Sequence, residues 1–299
     1  MKKVIVITGP TGVGKTDLSL EIAKIFNGEI INADASQFKK DLNIGTAKID
    51  LSKTNVKHHL IDIIECNEMF SISDFQAESR LLIEDISSRG KIPILVGGSG
   101  LYINACLNDY VLDSPKHSLE TEDDYIGVSN EELHNILKDN DYEASLLIHP
   151  NNRRRVIRAI ELSKSGNKIS NNNNGDKPLY NYLIICLNTD REILYERINK
   201  RCDIMLNGGW IDECKNLKEN GINLNDIKDI GYSDINDYLD GHITFEELKE
   251  TIAKKTRNYA KRQITWMKNK MPSKFVNINY NNIEETINEV KLMIEEFLL

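Results

Sequence analysis

The stretch Gly9-Pro10-Thr11-Gly12-Val13-Gly14-Lys15-Thr16 constrains this chain more than any other. It follows a short β-branched apolar run, residues 3–8 (KVIVIT), and opens a segment whose Leu18, Leu20, Ile22, Ala23 and Ile25 recur at helical spacing, with Gly28 as a stop. The pattern G-x-x-x-x-G-K-[ST] between a strand and a helix is a phosphate cradle. Its glycines let backbone N–H groups turn toward phosphate oxygens, and the helix N-terminus adds partial positive charge. Lys15 is placed to neutralise a terminal phosphate and Thr16 to ligate Mg²⁺. The motif does not name the substrate, because a loop that holds two phosphates of ATP holds any diphosphate. An NTPase or small-molecule kinase is the default expectation.

The rest of the chain reads as strands alternating with helices. Residues 29–33 and 59–64 have strand character. Residues 73–89 form an amphipathic pattern with Ser73 as the expected N-cap and Gly90 just past its end. Residues 91–96 read as another strand, followed by a glycine turn and a helix from about Leu101. This alternation predicts a parallel sheet with helices on both faces. Residues 113–148 are acidic and strand-poor, residues 170–177 (SNNNNGDK) read as a surface loop, residues 182–187 return to strand character, and helical patterns follow to the end. The expected organisation is an α/β, P-loop NTPase-like core over 1–112 and 180–299, interrupted by a small, mostly helical insertion over 113–179.

Composition sets outer limits. The chain has 299 residues and a formal net charge of −8. No run of about 18 apolar residues exists, so no membrane span is expected. The apolar run after Lys2-Lys3 is too short for a signal peptide. The five cysteines are scattered, which suits reduced thiols and a cytoplasmic protein. The acidic total argues against a nucleic-acid partner, yet Arg153, Arg154, Arg155 and Arg158 cluster, as do Lys254, Lys255, Arg257, Lys261 and Arg262. Local potential governs docking, while the total governs solubility. The arginine cluster reads either as a solvated helix face or as a phosphate contact.

Two further features keep two readings each. Asp34 stands at the carboxyl end of the second strand, where open α/β sheets bind ligands. It is either a proton acceptor facing the reaction centre or an ordinary turn aspartate. Gly97-Gly98-Ser99-Gly100 is either a close backbone approach to a ligand or a plain strand-to-helix turn. The pair His58-His59 is not a metal motif, because neighbours on a strand point to opposite faces.

Several segments together resemble one family, the bacterial tRNA dimethylallyltransferases. They are GPTGVGKT (9–16), INAD (31–34), IGTAK (44–48), HHLIDI (58–63), SISDF (71–75), RGKIPILVGGSGLYI (89–103), HPNNRRRVIRAIE (149–161), ERINKRCDIML (196–206), IGYSDINDYLDG (230–241) and TRNYAKRQITWMK (256–268). They occur in family order over nearly the whole chain. The resemblance implies transfer of a dimethylallyl group from dimethylallyl diphosphate to N6 of the adenosine beside the anticodon, in tRNAs reading codons that begin with U, with release of diphosphate. It implies that residues Gly9 to Thr16 bind the diphosphate, with Lys15 and Mg²⁺ on Thr16 stabilising the leaving group. Thr11 is implied near the bridging oxygen, Arg201 on the diphosphate, and Asp34 as the proton acceptor. Asp34, Ala35, Ser36, Gln37, Ser99, Arg154, Arg155, Arg158 and Lys228 match tRNA-contact positions. The implied partners are the tRNA anticodon stem-loop and the prenyl donor, and the implied state is a monomer.

The chain departs from the family pattern at Ala35, where serine is usual, and at Lys39, where tyrosine is usual. Lys228 stands where glutamine or arginine is usual, and the insertion is shorter by roughly one helical hairpin. Three alternatives compete: a P-loop kinase, a prenyltransferase acting on free AMP, and an RNA-binding protein with weakened catalysis.

Overall fold

The computed structural model describes residues 1–110, 112, 122–164, 166 and 177–299. The chain forms two compact units, Met1–Leu107 with Leu179–Leu299, and Asn108–Pro178. Expectations for residues 113–121 and for the loop 170–176 lie outside the described residues.

The larger unit is built on a six-stranded, all-parallel sheet in the order β3-β2-β4-β1-β5-β6. The strands are β1 (Lys3–Thr8), β2 (Gly28–Asn32), β3 (His58–His59), β4 (Ile92–Gly97), β5 (Asn181–Asn188) and β6 (Lys274–Asn277). Alternate residues of β1 serve opposite faces, as a pleated strand requires. Ile5 and Ile7 join an apolar cluster with Leu18, Ile22, Ile185 and Val290, whereas Val4 and Val6 join another with Phe75, Ile83, Ile184 and Met267. Burial on both faces explains why the central strands are apolar runs rather than alternating patterns.

Helices cover both faces. They are α1 (Lys15–Ile25), α2 (Ile72–Ser88), α3 (Gly100–Leu107), α7 (Arg191–Met205), α8 (Ile211–Glu219), α9 (Tyr232–Leu239), α10 (Phe245–Lys270) and α11 (Ile283–Leu298). Strand register brings the carboxyl ends of the central strands level. Thr8 pairs with Gly97 and with Cys186, and the Ala33 N–H donates to the Val96 carbonyl at 2.8 Å. The phosphate cradle, Asp34 and the second glycine turn therefore emerge along one edge of the sheet.

Three sequence expectations are corrected. The third strand ends at His59 rather than Ile64, because Leu60 and Asp62 adopt positive φ (59° and 55°) and break the extended chain. The N-cap of α2 is Ser71, not Ser73, since Ser71 and Asp74 exchange the reciprocal bonds of a capping box. Residues 274–277, expected in a helical region, form β6 and pair with β5 through register partners such as Leu187↔Val276.

The smaller unit is helical where described: α4 (Asn130–Asn140), α5 (Tyr142–Leu147) and α6 (Arg153–Lys164). Leu133, Leu137, Val156 and Ile160 form its core. No helix among the described residues is long and apolar enough to cross a membrane.

Candidate active site at the carboxyl edge of the sheet

The cradle turns between β1 and α1, with α1 starting at Lys15. Lys15 Nζ donates to the loop's own carbonyls, Gly9 at 3.0 Å and Pro10 at 2.9 Å. Burial lowers its pKa to about 8, against an opposing pull from the Asp34 carboxylate. Three side chains far along the chain brace the loop. Arg197 Nε donates to the Gly12 carbonyl (3.0 Å) and its guanidinium stacks on the Tyr280 ring, whose hydroxyl donates to the Val13 carbonyl at 3.1 Å. Gln263, buried on α10, accepts from the Thr11 N–H (2.8 Å) and donates to the Gly98 carbonyl at 3.1 Å.

Asp34 is a turn aspartate that also faces two cavities. Its carboxylate accepts from the Ser36 N–H at 3.2 Å and so caps the turn Ala35–Phe38. Burial raises its pKa, and the neighbouring Lys15 ammonium acts against that rise.

The first cavity has a volume of about 570 Å³ and is lined by Gly14, Lys15, Thr16, Gln37, Lys48, Arg197 and Lys200, among others. The second, of about 310 Å³, is lined by Ser36, Trp210, Lys228, Asp229, Tyr259 and Arg262, among others. Thr11, Gly12, Asp34, Thr46 and Arg201 line both. The arrangement is two chambers meeting at a hydroxyl, a carboxylate and a guanidinium. The first chamber is strongly cationic, as an anion of high charge requires.

A loop after Leu42 supplies part of this shared wall. The Glu213 carboxylate accepts from the N–H groups of Asn43 (2.9 Å), Ile44 (2.7 Å) and Gly45 (3.3 Å), and from the Tyr232 hydroxyl at 2.8 Å. Gly45 lies so close to Trp210 and Tyr232 that no side chain fits there. Thr46 follows directly and lines both chambers.

The other expected site residues are distributed as follows. Gln37 faces the first chamber, and Ser36 and Lys228 face the second. Ala35 and Ser99 line neither; Ser99 Oγ accepts from the Ala35 N–H at 3.4 Å and bonds the Tyr259 hydroxyl. The second glycine turn is tightly packed against α10: a Cβ at Gly98 would collide with Gln263 and one at Gly100 with Trp266. Arg154 and Arg155 are exposed on α6 of the smaller unit, and Arg158 on the same helix pairs with Glu161 at 3.1 Å. Arg153 is structural, donating to the carbonyls of Tyr125 and Val128. Within the basic run on α10, Lys255 pairs with Asp234 and Arg257 with Glu250. His59 bonds Glu29 and His58 bonds the Val56 carbonyl, so both are structural.

Sequence reasoning singled out none of Arg197, Gln263, Glu213, Trp210 and Tyr259. The loop partners of Arg197, Gln263 and Glu213 lie far away in sequence, so no local pattern marked these side chains.

A model of the family described as IPP transferase matches residues 37–270. The chain belongs to the IPP transferase family. This IPP transferase is 43% identical over 301 residues to a tRNA dimethylallyltransferase of Anoxybacillus flavithermus, covering 98% of this chain and 96% of the relative. Its structure resembles a tRNA delta(2)-isopentenylpyrophosphate transferase of Staphylococcus epidermidis, with a TM-score of 0.75, 37% identity and 99% of each chain covered. It also resembles a eukaryotic dimethylallyltransferase acting on tRNA, with a TM-score of 0.83 and 30% identity, covering 98% of this chain and 78% of that one. The P-loop α/β architecture of this IPP transferase is thus that of the family.

Proposed function

We propose that this chain transfers a dimethylallyl group from dimethylallyl diphosphate to N6 of the adenosine beside the anticodon of tRNA. The observation that carries this reading is the shared wall of Thr11, Asp34 and Arg201 between a cationic chamber and a second chamber lined by Trp210 and Tyr259. The donor's diphosphate occupies the first chamber, and a base extruded from the anticodon loop enters the second.

The chemistry follows from the placement. The allylic C–O bond breaks and its electron pair leaves with the diphosphate. Lys15, the loop amides and Arg201 stabilise the charge that develops there. Thr11, in the wall shared by the two chambers, is assigned to the departing bridging oxygen. An adenine amine is a weak nucleophile, because its lone pair is delocalised into the ring. As the new C–N bond forms, the amine's proton passes to the Asp34 carboxylate. Burial raises the pKa of that carboxylate, which makes it a better acceptor than an exposed one.

No group of three or more metal-ligating side chains exists among the described residues. The Thr16 hydroxyl, facing the first chamber, fits Mg²⁺ held largely by diphosphate oxygens and water. When bound, the ion supplies further charge neutralisation on the leaving group.

The helical unit Asn108–Pro178 serves this function as a tRNA clasp, with Arg154, Arg155 and Arg158 as phosphate contacts. The chain acts as a monomer on tRNAs reading codons that begin with U. Incubation with labelled dimethylallyl diphosphate and either tRNA or AMP tests the reading. Label on the adenosine beside the anticodon is the expected result. Label on AMP alone, or on neither acceptor, overturns it.

A further inference from the structure

The second chamber contains a carboxylate with no role in the chemistry above. Asp229 lines it together with Asp34, and its charge opposes ionisation of Asp34. Two carboxylates in a chamber of about 310 Å³ disfavour each other's charged forms and repel an incoming polyanion. The chain answers this with Lys39. Its Nζ lies 3.0 Å from Asp229 Oδ2, and the two side chains retain only 17% and 15% of their exposure. The ion pair ties the turn that carries Asp34 to the segment before α9 that carries Lys228. Lys39 stands where the family pattern has tyrosine, a neutral residue that could not balance a carboxylate.

We propose that Lys39 is a positioning residue for the transfer: it pins and neutralises Asp229, fixes the wall of the acceptor chamber, and leaves Asp34 as the carboxylate there that receives the proton. This rests on the prenyl-transfer reading given above. The charged and titratable groups around the two carboxylates come from every side. Lys15 on α1 and Arg201 on α7 attract Asp34, while the hydroxyls of Tyr259 on α10 and Tyr232 on α9 both lie in the field of Asp229. Arg262 and Lys228 complete the chamber's charges. Removal of the Lys39 charge leaves Asp229 uncompensated. Asp34 then holds its proton to higher pH, and the acid limb of the rate profile moves upward.

The test is a charge-deletion cycle on the full chain, read as separate KM values for tRNA and for dimethylallyl diphosphate, as kcat, and as the pH profile of kcat/KM. Lys39→Met is expected to lower kcat/KM for tRNA about tenfold, a coupling of the size seen between contacting residues. The KM for the donor is expected to stay unchanged and the acid limb to rise. Lys39→Met with Asp229→Asn regains most of the loss, and Lys39→Arg retains activity. Equal or additive losses in the double variant, a parallel rise in donor KM, or a Lys39→Met protein indistinguishable from wild type would overturn the proposal. Should Lys39→Met fail to fold, Lys39→Asp and its combination with Asp229→Lys replace it: recovery in the reversed pair supports the proposal, and absence of recovery overturns it. A wild-type protein that prenylates no tRNA would instead overturn the underlying reading.

Discussion

Gly45→Ala is expected to damage both stability and catalysis, for a reason that can be sized. An added Cβ would lie 2.5 Å from the Tyr232 hydroxyl and 2.6 Å from Trp210 Cε2, far inside contact distance. Trp210 and Tyr232 are fully buried and cannot swing away. The loop must retreat instead, and it is held by three amide bonds to the Glu213 carboxylate. Overpacking of this kind costs about 1–3 kcal/mol, which for a chain of this size lowers Tm by roughly 2–5 °C. Thr46 moves with the loop, so kcat/KM falls as well. Gly208→Ala is the matched control. Gly208 lies two residues before Trp210, has open space at its Cβ position and no positive φ. Alanine there is expected to be neutral or to stabilise by about 0.4–1 kcal/mol. Thermal unfolding followed by circular dichroism, with transfer kinetics on the same samples, decides the matter. A Gly45→Ala protein with wild-type Tm, or two variants that lose stability equally, would refute the reasoning.

Three further outcomes follow from charge. Because burial brings the Lys15 pKa down to about 8, the free lysine sheds its proton above that pH, and a bound anion restores it; titration calorimetry with inorganic diphosphate in two buffers near pH 8 should show proton uptake that Lys15→Met abolishes. Glu29 is buried and receives Arg89 at 2.5 and 2.7 Å and Lys91 at 2.9 Å, with His59 2.8 Å away; Glu29→Gln leaves Arg89 and Lys91 without their anion and should cost about 3 kcal/mol. Hydrogen bonds from Arg89 hold the Glu29 carboxyl far below the usual range, so its contribution is present above the unfolded carboxyl's pKa and fades as pH falls, and the gap between wild type and Glu29→Gln should narrow on acidification. Arg158→Ala should weaken tRNA binding and flatten its salt dependence by close to one counterion; an unchanged slope would remove Arg158 from the phosphate contacts.

The sequence carried the parts of the fold that local chemistry decides. The cradle, its strand and its helix were legible because a glycine pattern, an apolar run and a helical period agree over residues 3–26. Asp34 was legible as a candidate because strand ends in parallel sheets face ligands. What escaped depends on distant partners. The strand Lys274–Asn277 is four residues long with only Val276 buried, so its period is too short to detect. Gln263 acts 252 residues away, on Thr11. Glu213 looks like any helix glutamate until the fold brings three loop amides to it. The departure at Lys39 was visible in the sequence, but its ion pair with Asp229, 190 residues away, was not.

The most direct measurement is a single-turnover comparison of wild type with Asp34→Ala, alongside tRNA affinity for both. If Asp34 accepts the amine's proton, the chemical step slows by about 10²–10⁴-fold while tRNA binding changes little. Binding that weakens as much as the rate falls would show that Asp34 recognises the acceptor and does not take its proton.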